Sequence, residues 1–226
     1  MVHVISILDV ELGSPVMTSW QGRLLEALRA IPGLEVEPYG SVAEGQDLDQ
    51  WSDLDVRLRL SGPASAEALF GARLWAWQEA IDDAGQHLRL VFSDGRRVDL
   101  LAGGAHWLTL PEPPVDNTVR FEAALAASRL GRGSRLVGLH LVLGILREAL
   151  VQVMLIADRD TGTNHHRRET VHDARAAEAA AVAGRPLRPE MALEACELYA
   201  KWRLELDPSY RPDWSGLREV IDGKHI

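Results

Sequence analysis

A chain of 226 residues, 46% hydrophobic and 25% charged, has ordinary globular composition and length for one large domain or two small ones. Its formal net charge of −9 speaks against a surface built for long nucleic acid, which is ordinarily basic, and suits a cationic small partner. The single cysteine, Cys196, excludes an intramolecular disulfide and reads as a small buried apolar residue.

The N-terminal run Val2–Val10 fits a short strand or the start of a helix; it lacks a basic leader, so no signal peptide is expected and the cytoplasm is the expected compartment. From Pro15 to about Ala30, Val16, Trp20, Leu24, Leu25 and Leu28 recur at helical spacing, and Ile31-Pro32-Gly33 stops the run. Leu34–Tyr39 reads as a strand, Gly40–Ala43 as a turn opening a short helix, and Gly45–Ser52 as a polar loop in which Trp51 either stacks on a base or anchors the loop to the core. Leu54–Leu60 alternates apolar residues with Arg57 and Arg59 and is a second strand. Ala64–Asp83 carries Leu69, Phe70, Leu74, Trp77 and Ile81 on one stripe and predicts a helix ended by Gly85, with Trp75 off the stripe and free to meet the second half. His87–Phe92 and Arg96–Leu101 flank an Asp-Gly turn and predict a β-hairpin, with Arg96 and Arg97 as turn arginines or phosphate contacts.

Pro-Glu-Pro-Pro at 111–114 is the clearest linker, dividing residues 1–112 from 113–226. No β pattern follows it. Asp116 or Asn117 caps a helix to about Leu130, and Gly131-Arg132-Gly133-Ser134 reads first as a helix stop, with a phosphate loop as the alternative. Arg135–Asp158 is a long apolar helix. Leu136–Ile156 is about long enough to span a bilayer, but His140, Arg147, Glu148 and Gln152 favour a buried core helix with no membrane role, His140 being a core residue. Thr170–Ala183, Pro189–Leu206 and Asp213–Asp222 complete an all-helical half.

The chemistry concentrates in Gly40–Asp55. Gly40 lets backbone approach an oxyanion, and Ser41 adds a hydroxyl donor. Asp53 and Asp55 project from one side of a strand start, where two carboxylates repel unless a cation lies between them, and Mg²⁺ suits an all-oxygen site. A third aspartate, Asp99, stands between Val98 and Leu100 in the hairpin.

Gly40-Ser41, the gap, Asp53-Leu54-Asp55 and the later Val98-Asp99-Leu100 together resemble the signature of the DNA polymerase β nucleotidyltransferase superfamily over residues 34–102. The resemblance implies an α+β fold, a mixed sheet with helices, here followed by an all-helical C-terminal domain. It implies two Mg²⁺ ions held by Asp53, Asp55 and Asp99, with Asp99 either a ligand or a general base, and Gly40 and Ser41 on the phosphates of ATP or another nucleoside triphosphate. The large helical half makes the layout most similar to the antibiotic nucleotidyltransferases, which modify a hydroxyl of an aminoglycoside or lincosamide. In that branch helical-half residues often complete the nucleotide site. The segment Asp158–Glu169 offers His165, His166, Arg167 and Arg168 for this, with His166 and Arg167 the chosen pair and a solvated basic loop the alternative. Adjacent histidines fit zinc poorly. Glu148 and Asp158 are acceptor candidates on the long helix, or plain helix charges paired with Arg147 and Arg159. The expected partners are a nucleoside triphosphate and a small hydroxyl acceptor, with nucleic acid disfavoured by the acidic charge, in a monomer or homodimer. Transfer to protein or tRNA, and a non-catalytic nucleotide-binding module, are the alternative functions.

Overall fold

The computed structural model describes residues 19–44, 48–163 and 167–223. The Val2–Val10 element, the first turn of the Pro15–Ala30 helix and the pair His165-His166 lie outside the described residues. A helix α1 (Trp20–Arg29) starts where Ser19 accepts a hydrogen bond from the Gly22 amide. A five-stranded mixed sheet follows, in the order β1-β2-β6-β5-β4, built from β1 (Leu34–Pro38), β2 (Leu54–Leu60), β4 (Leu74–Asp82), β5 (Gly85–Phe92) and β6 (Arg97–Gly104). β2 runs parallel to β6 and the other pairings are antiparallel. A short helix α2 (Gly40–Ala43) sits between β1 and β2, and β3 (Ala64–Ser65) pairs with β7 (Leu108–Thr109) beside α3 (Ala66–Phe70).

Alternation sets the faces of the sheet. Leu54, Val56, Leu58 and Leu60 of β2 are buried together with Leu88, Leu90, Val98 and Leu100 in a cluster that includes Trp20, Leu24, Leu25 and Leu28 of α1. Each fully buried leucine contributes roughly 1.5–3 kcal/mol. A one-residue slip of β2 would expose these four side chains and bury Arg57 and Arg59, so the register is strongly fixed. The opposite face carries Asp53, Asp55, Arg57 and Arg59 and points away from α1.

The helix expected over 64–83 is corrected to a strand pair-partner, a one-turn helix and the strand β4. Gly71 at φ +66° stops α3, and β4 then pairs with β5, so Gly85 opens a strand rather than ending a helix. The helical stripe was misleading because Leu74, Trp75, Ala76 and Trp77 are buried on both faces: Leu74 and Trp77 in the sheet core, Trp75 and Ala76 in the helical core. Ile81, expected inside, is exposed.

The remaining helices are α4 (Asn117–Gly131), α5 (Arg135–Thr161), α6 (Ala176–Ala183, after a 3₁₀ turn at Asp173–Arg175), α7 (Glu190–Leu206) and α8 (Ser215–Asp222). They enclose a second hydrophobic cluster that also takes in Trp51, Trp75, Ala76 and Val91 from the sheet half. Among the described residues one helix, α5, is long and apolar enough to cross a membrane by length and composition. Its side bearing Val142, Ile145, Ala149, Val153 and Ile156 is buried against α4, α6 and α7, while Leu136, Leu143 and Met154 are exposed. His140, expected in the core, is exposed on the same helix. Asp116 precedes α4 without capping it. Its carboxylate instead takes Arg120 Nε at 2.6 Å and the Tyr210 hydroxyl at 2.6 Å, a sealed pair between helices. Asn117 exchanges two hydrogen bonds with the Trp77 backbone and pins the start of α4 to β4.

Candidate functional site

The site grows from the parallel pairing of β2 and β6, in which Asp55 and Asp99 are direct register partners. Asp53 lies two residues before Asp55 on the same face. All three side chains are part-exposed on the sheet face away from α1. Burial, then Asp53 and Asp99, raise the Asp55 carboxyl to about 6. Burial and Asp53 also raise Asp99, against the opposing charge of Arg89. Negative charge is therefore concentrated here, offset in part by Arg89 at Asp99 and by Arg132 at Asp55.

Gly40 stands at φ +62°, and a Cβ on it would lie 2.4 Å from Asp55 Oδ2. Two constraints thus require glycine: left-handed backbone and contact with the carboxylate. The Tyr39 amide donates to the Asp55 carbonyl at 3.1 Å, fixing the turn to β2, and Ser41 follows in the one-turn helix α2. The Tyr39 ring lies under the Arg57 guanidinium, 4.8 Å from its centroid, and its hydroxyl is directed at the Asp99 carbonyl at 3.5 Å.

Arg89 of β5 faces Asp99 across the β5–β6 ladder and donates Nε–H to Oδ2 at 3.2 Å. The same guanidinium stacks on Phe121 of α4, 5.3 Å from its centroid. It therefore ties the third carboxylate to the helical half. Beside it, a cleft of about 490 Å³ opens between the sheet face and the start of α4, lined by Gln78, Glu79, His87, Arg89 and Asn117.

The donor set is chemically suited to a hard divalent cation: carboxylate oxygens on one face, with Asp55 and Asp99 raised in pKa by burial first and neighbouring carboxylates second. Among the described residues no group of three His, Cys, Asp or Glu side chains is drawn together closely enough to hold one ion, Asp99 Oδ2 being taken by Arg89. Asp53 and Asp55 are the carboxylates of this face that could hold a cation.

No family model matches the chain, and no curated protein does. Among solved structures it is similar to an aminoglycoside 6-adenyltransferase from Bacillus subtilis at 10% identity, over 91% of this chain and 97% of that one, with a TM-score of 0.33. A likeness at that level carries no argument about fold or chemistry; the side chains do.

Among the described residues, the other expected ones are not partners of the three carboxylates. His166 lies outside the described residues. Arg167 is exposed beyond the far end of α5, a helix about 40 Å long at its ordinary rise, whose near end adjoins the site. Asp158 lies in the last turns of the same helix. Glu148 is midway along it and is paired with Arg147 at 3.0 Å. Trp51 is buried in the helical cluster, the anchoring alternative. Arg96 pairs with Asp94, and Arg97, read as a turn arginine, is buried.

Arg89 escaped the sequence reading although a signal was present. Arg89 and Asp99 are equidistant from Asp94, so a tight turn there pairs them. Glu122 of α4 gave no such signal. Its carboxyl is raised by burial, Oε2 has no partner among the described residues, and it faces Gly144 of α5.

Proposed function

We propose that the protein is a nucleotidyltransferase that moves a nucleoside monophosphate, AMP from ATP in the first instance, onto a hydroxyl of a small molecule, with an aminoglycoside or lincosamide antibiotic as the acceptor class. The observation that carries this is the register pairing of Asp55 with Asp99, with Asp53 on the same face and Gly40 pressed against the Asp55 carboxylate. A glycine pressed against one carboxylate of an acidic group suits backbone that approaches neutralised phosphoryl groups. Two Mg²⁺ ions, held by Asp53 and Asp55 with Asp99 serving one of them or acting as base, would supply neutralisation of the phosphates and of the leaving pyrophosphate.

The chain's own groups then have distinct tasks. The Gly40 backbone and Ser41 hydroxyl bind phosphate oxygens. Arg89 orients Asp99, which takes the acceptor proton as the acceptor oxygen bonds to the α-phosphorus and the α–β phosphoanhydride bond breaks, releasing pyrophosphate. The cleft beside Arg89 receives the acceptor, and the overall charge of −9 suits an acceptor amine.

The test is incubation with Mg²⁺, the four nucleoside triphosphates and a panel of aminoglycosides and lincosamides. Pyrophosphate release with a matching mass gain on one drug is expected, and Asp55→Asn abolishes both. Label appearing on protein or RNA instead would transfer the reading to a macromolecular acceptor. An Asp55→Asn protein that still turns over would refute the site.

A further inference from the structure

The carboxylate edge of the sheet is closed on its helical side by cations that the transfer reading leaves unused. Arg97 opens β6, on the same face as Asp99, and is buried. It donates to the Trp51 carbonyl and to Ser128 Oγ of α4, neither of them an anion. Asp53 and Asp99 are the anions whose charge it feels most, with Arg132 and Arg129 adding positive charge nearby.

Arg132 belongs to the turn between α4 and α5. It donates to Asp49 Oδ1 at 3.2 Å and to Ser52 Oγ at 3.0 Å, and Ser52 immediately precedes Asp53. Packing, rather than this ion pair, holds the turn in place: a Cβ on Gly131 would lie 2.2 Å from the Trp51 ring. The guanidinium itself is 34% exposed and its partner Asp49 is 51% exposed. An ion pair that open contributes little and is readily exchanged. Arg132 is a cation that acts on Asp55, against the larger effects of burial, Asp53 and Asp99. Gly40 approaches Asp55 from α2, and Arg132 reaches Ser52, the neighbour of Asp53, from the helical half.

We infer that Arg132 binds the β- and γ-phosphates of the nucleoside triphosphate, leaving its exposed pair with Asp49 for the phosphate oxygens, while buried Arg97 stands behind as a fixed charge. This rests on the nucleotidyltransferase reading. A planar guanidinium offers paired N–H donors to phosphate oxygens, and a triphosphate brings more negative charge than one solvated carboxylate. The turn then serves as the helical half's contribution to the donor site. It also gives the buried Arg97 a purpose: a guanidinium with two neutral acceptors adds positive potential without competing for the phosphates.

The experiment is calorimetric titration of the full chain, in Mg²⁺, with inorganic pyrophosphate, ATP and AMP. Arg132→Ala is expected to weaken pyrophosphate and ATP by roughly 10- to 100-fold, the loss of a charge-assisted contact, and to leave AMP unchanged. Arg132→Lys recovers part of the loss. Asp49→Asn, which frees Arg132, holds or improves affinity for pyrophosphate. The thermal midpoint of Arg132→Ala stays at the wild-type value because the pair is exposed. Equal binding of pyrophosphate by wild type and Arg132→Ala overturns the inference, as does an equal loss of AMP. Wild type that binds neither pyrophosphate nor ATP overturns the transfer reading itself.

Discussion

Replacing Gly40 with alanine separates backbone strain from damage to the site. Gly40 is at φ +62°, where an alanine costs roughly 1–2 kcal/mol. The new Cβ would stand 2.4 Å from Asp55 Oδ2, whereas ordinary contact begins near 3.4 Å, so the oxygen has to move by about 1 Å (3.4 − 2.4). The backbone of Asp55 is pinned by Tyr39 and by both neighbouring strands, which leaves only side-chain rotation. A 1 Å misplacement of a reacting group costs about 10²-fold in rate. Gly71 provides the control, since it has nearly the same φ, +66°, and nothing within 4 Å of its Cβ position. Gly40→Ala and Gly71→Ala should both lower the thermal midpoint by roughly 2–8 °C in a chain this size. Only Gly40→Ala should lose pyrophosphate release, by about 10²-fold. If Gly40→Ala kept more than half the wild-type rate, or Gly71→Ala lost as much, the contact with Asp55 would not be the reason for the glycine.

Two further outcomes follow from charge burial. Asp55 has a folded pKa raised to about 6 by burial, Asp53 and Asp99, above the ordinary carboxylate value of 3.8. The folded chain therefore holds a proton there that the unfolded chain has lost, and this site's contribution to stability declines as pH rises from about 4 through 6. Divalent cations need the ionised form, so Mg²⁺ should raise the thermal midpoint more at about pH 7.5 than at about pH 5. Asp55→Asn should remove that difference, and an equal Mg²⁺ shift at both pH values would refute it. Tyr210→Phe leaves Asp116 Oδ2, fully buried with Arg120, without its 2.6 Å donor. Urea denaturation should show a loss of roughly 1–3 kcal/mol with an unchanged rate of pyrophosphate release; a stability change within about 0.5 kcal/mol would mean that water reaches the pair.

Elements were legible in the sequence wherever one periodicity met one environment. β2 alternates because one face is core and the other solvent, and its span of Leu54–Leu60 follows from the sequence directly. α5 and α7 are long enough for their pattern to dominate. β4 was not legible, because Leu74–Trp77 serves two cores at once and its alternation is erased there. The spacing of Asp53 and Asp55 pointed to a shared face, since alternation in a strand is a local property, whereas Gly40 and Asp99 joined them through the resemblance.

Local spacing could not supply the long-range partners. Arg89 meets Asp99 only because β5 and β6 pair, and Arg132 meets Ser52 only because the α4–α5 turn packs on Trp51, 80 residues away in sequence from Ser52 to Arg132. The same limit explains Arg167. A basic cluster was visible in the sequence, but of its described residues Arg167 is exposed and follows the C-terminal end of a 27-residue helix, and local spacing cannot say what stands near it. Within one segment, strand alternation places Asp53 and Asp55 on one side, and that much the sequence determines by itself; that Asp99 stands opposite Asp55 depends on the parallel pairing of β2 with β6. Tertiary structure alone decided which cations face them, because that depends on how the helical half closes against the sheet.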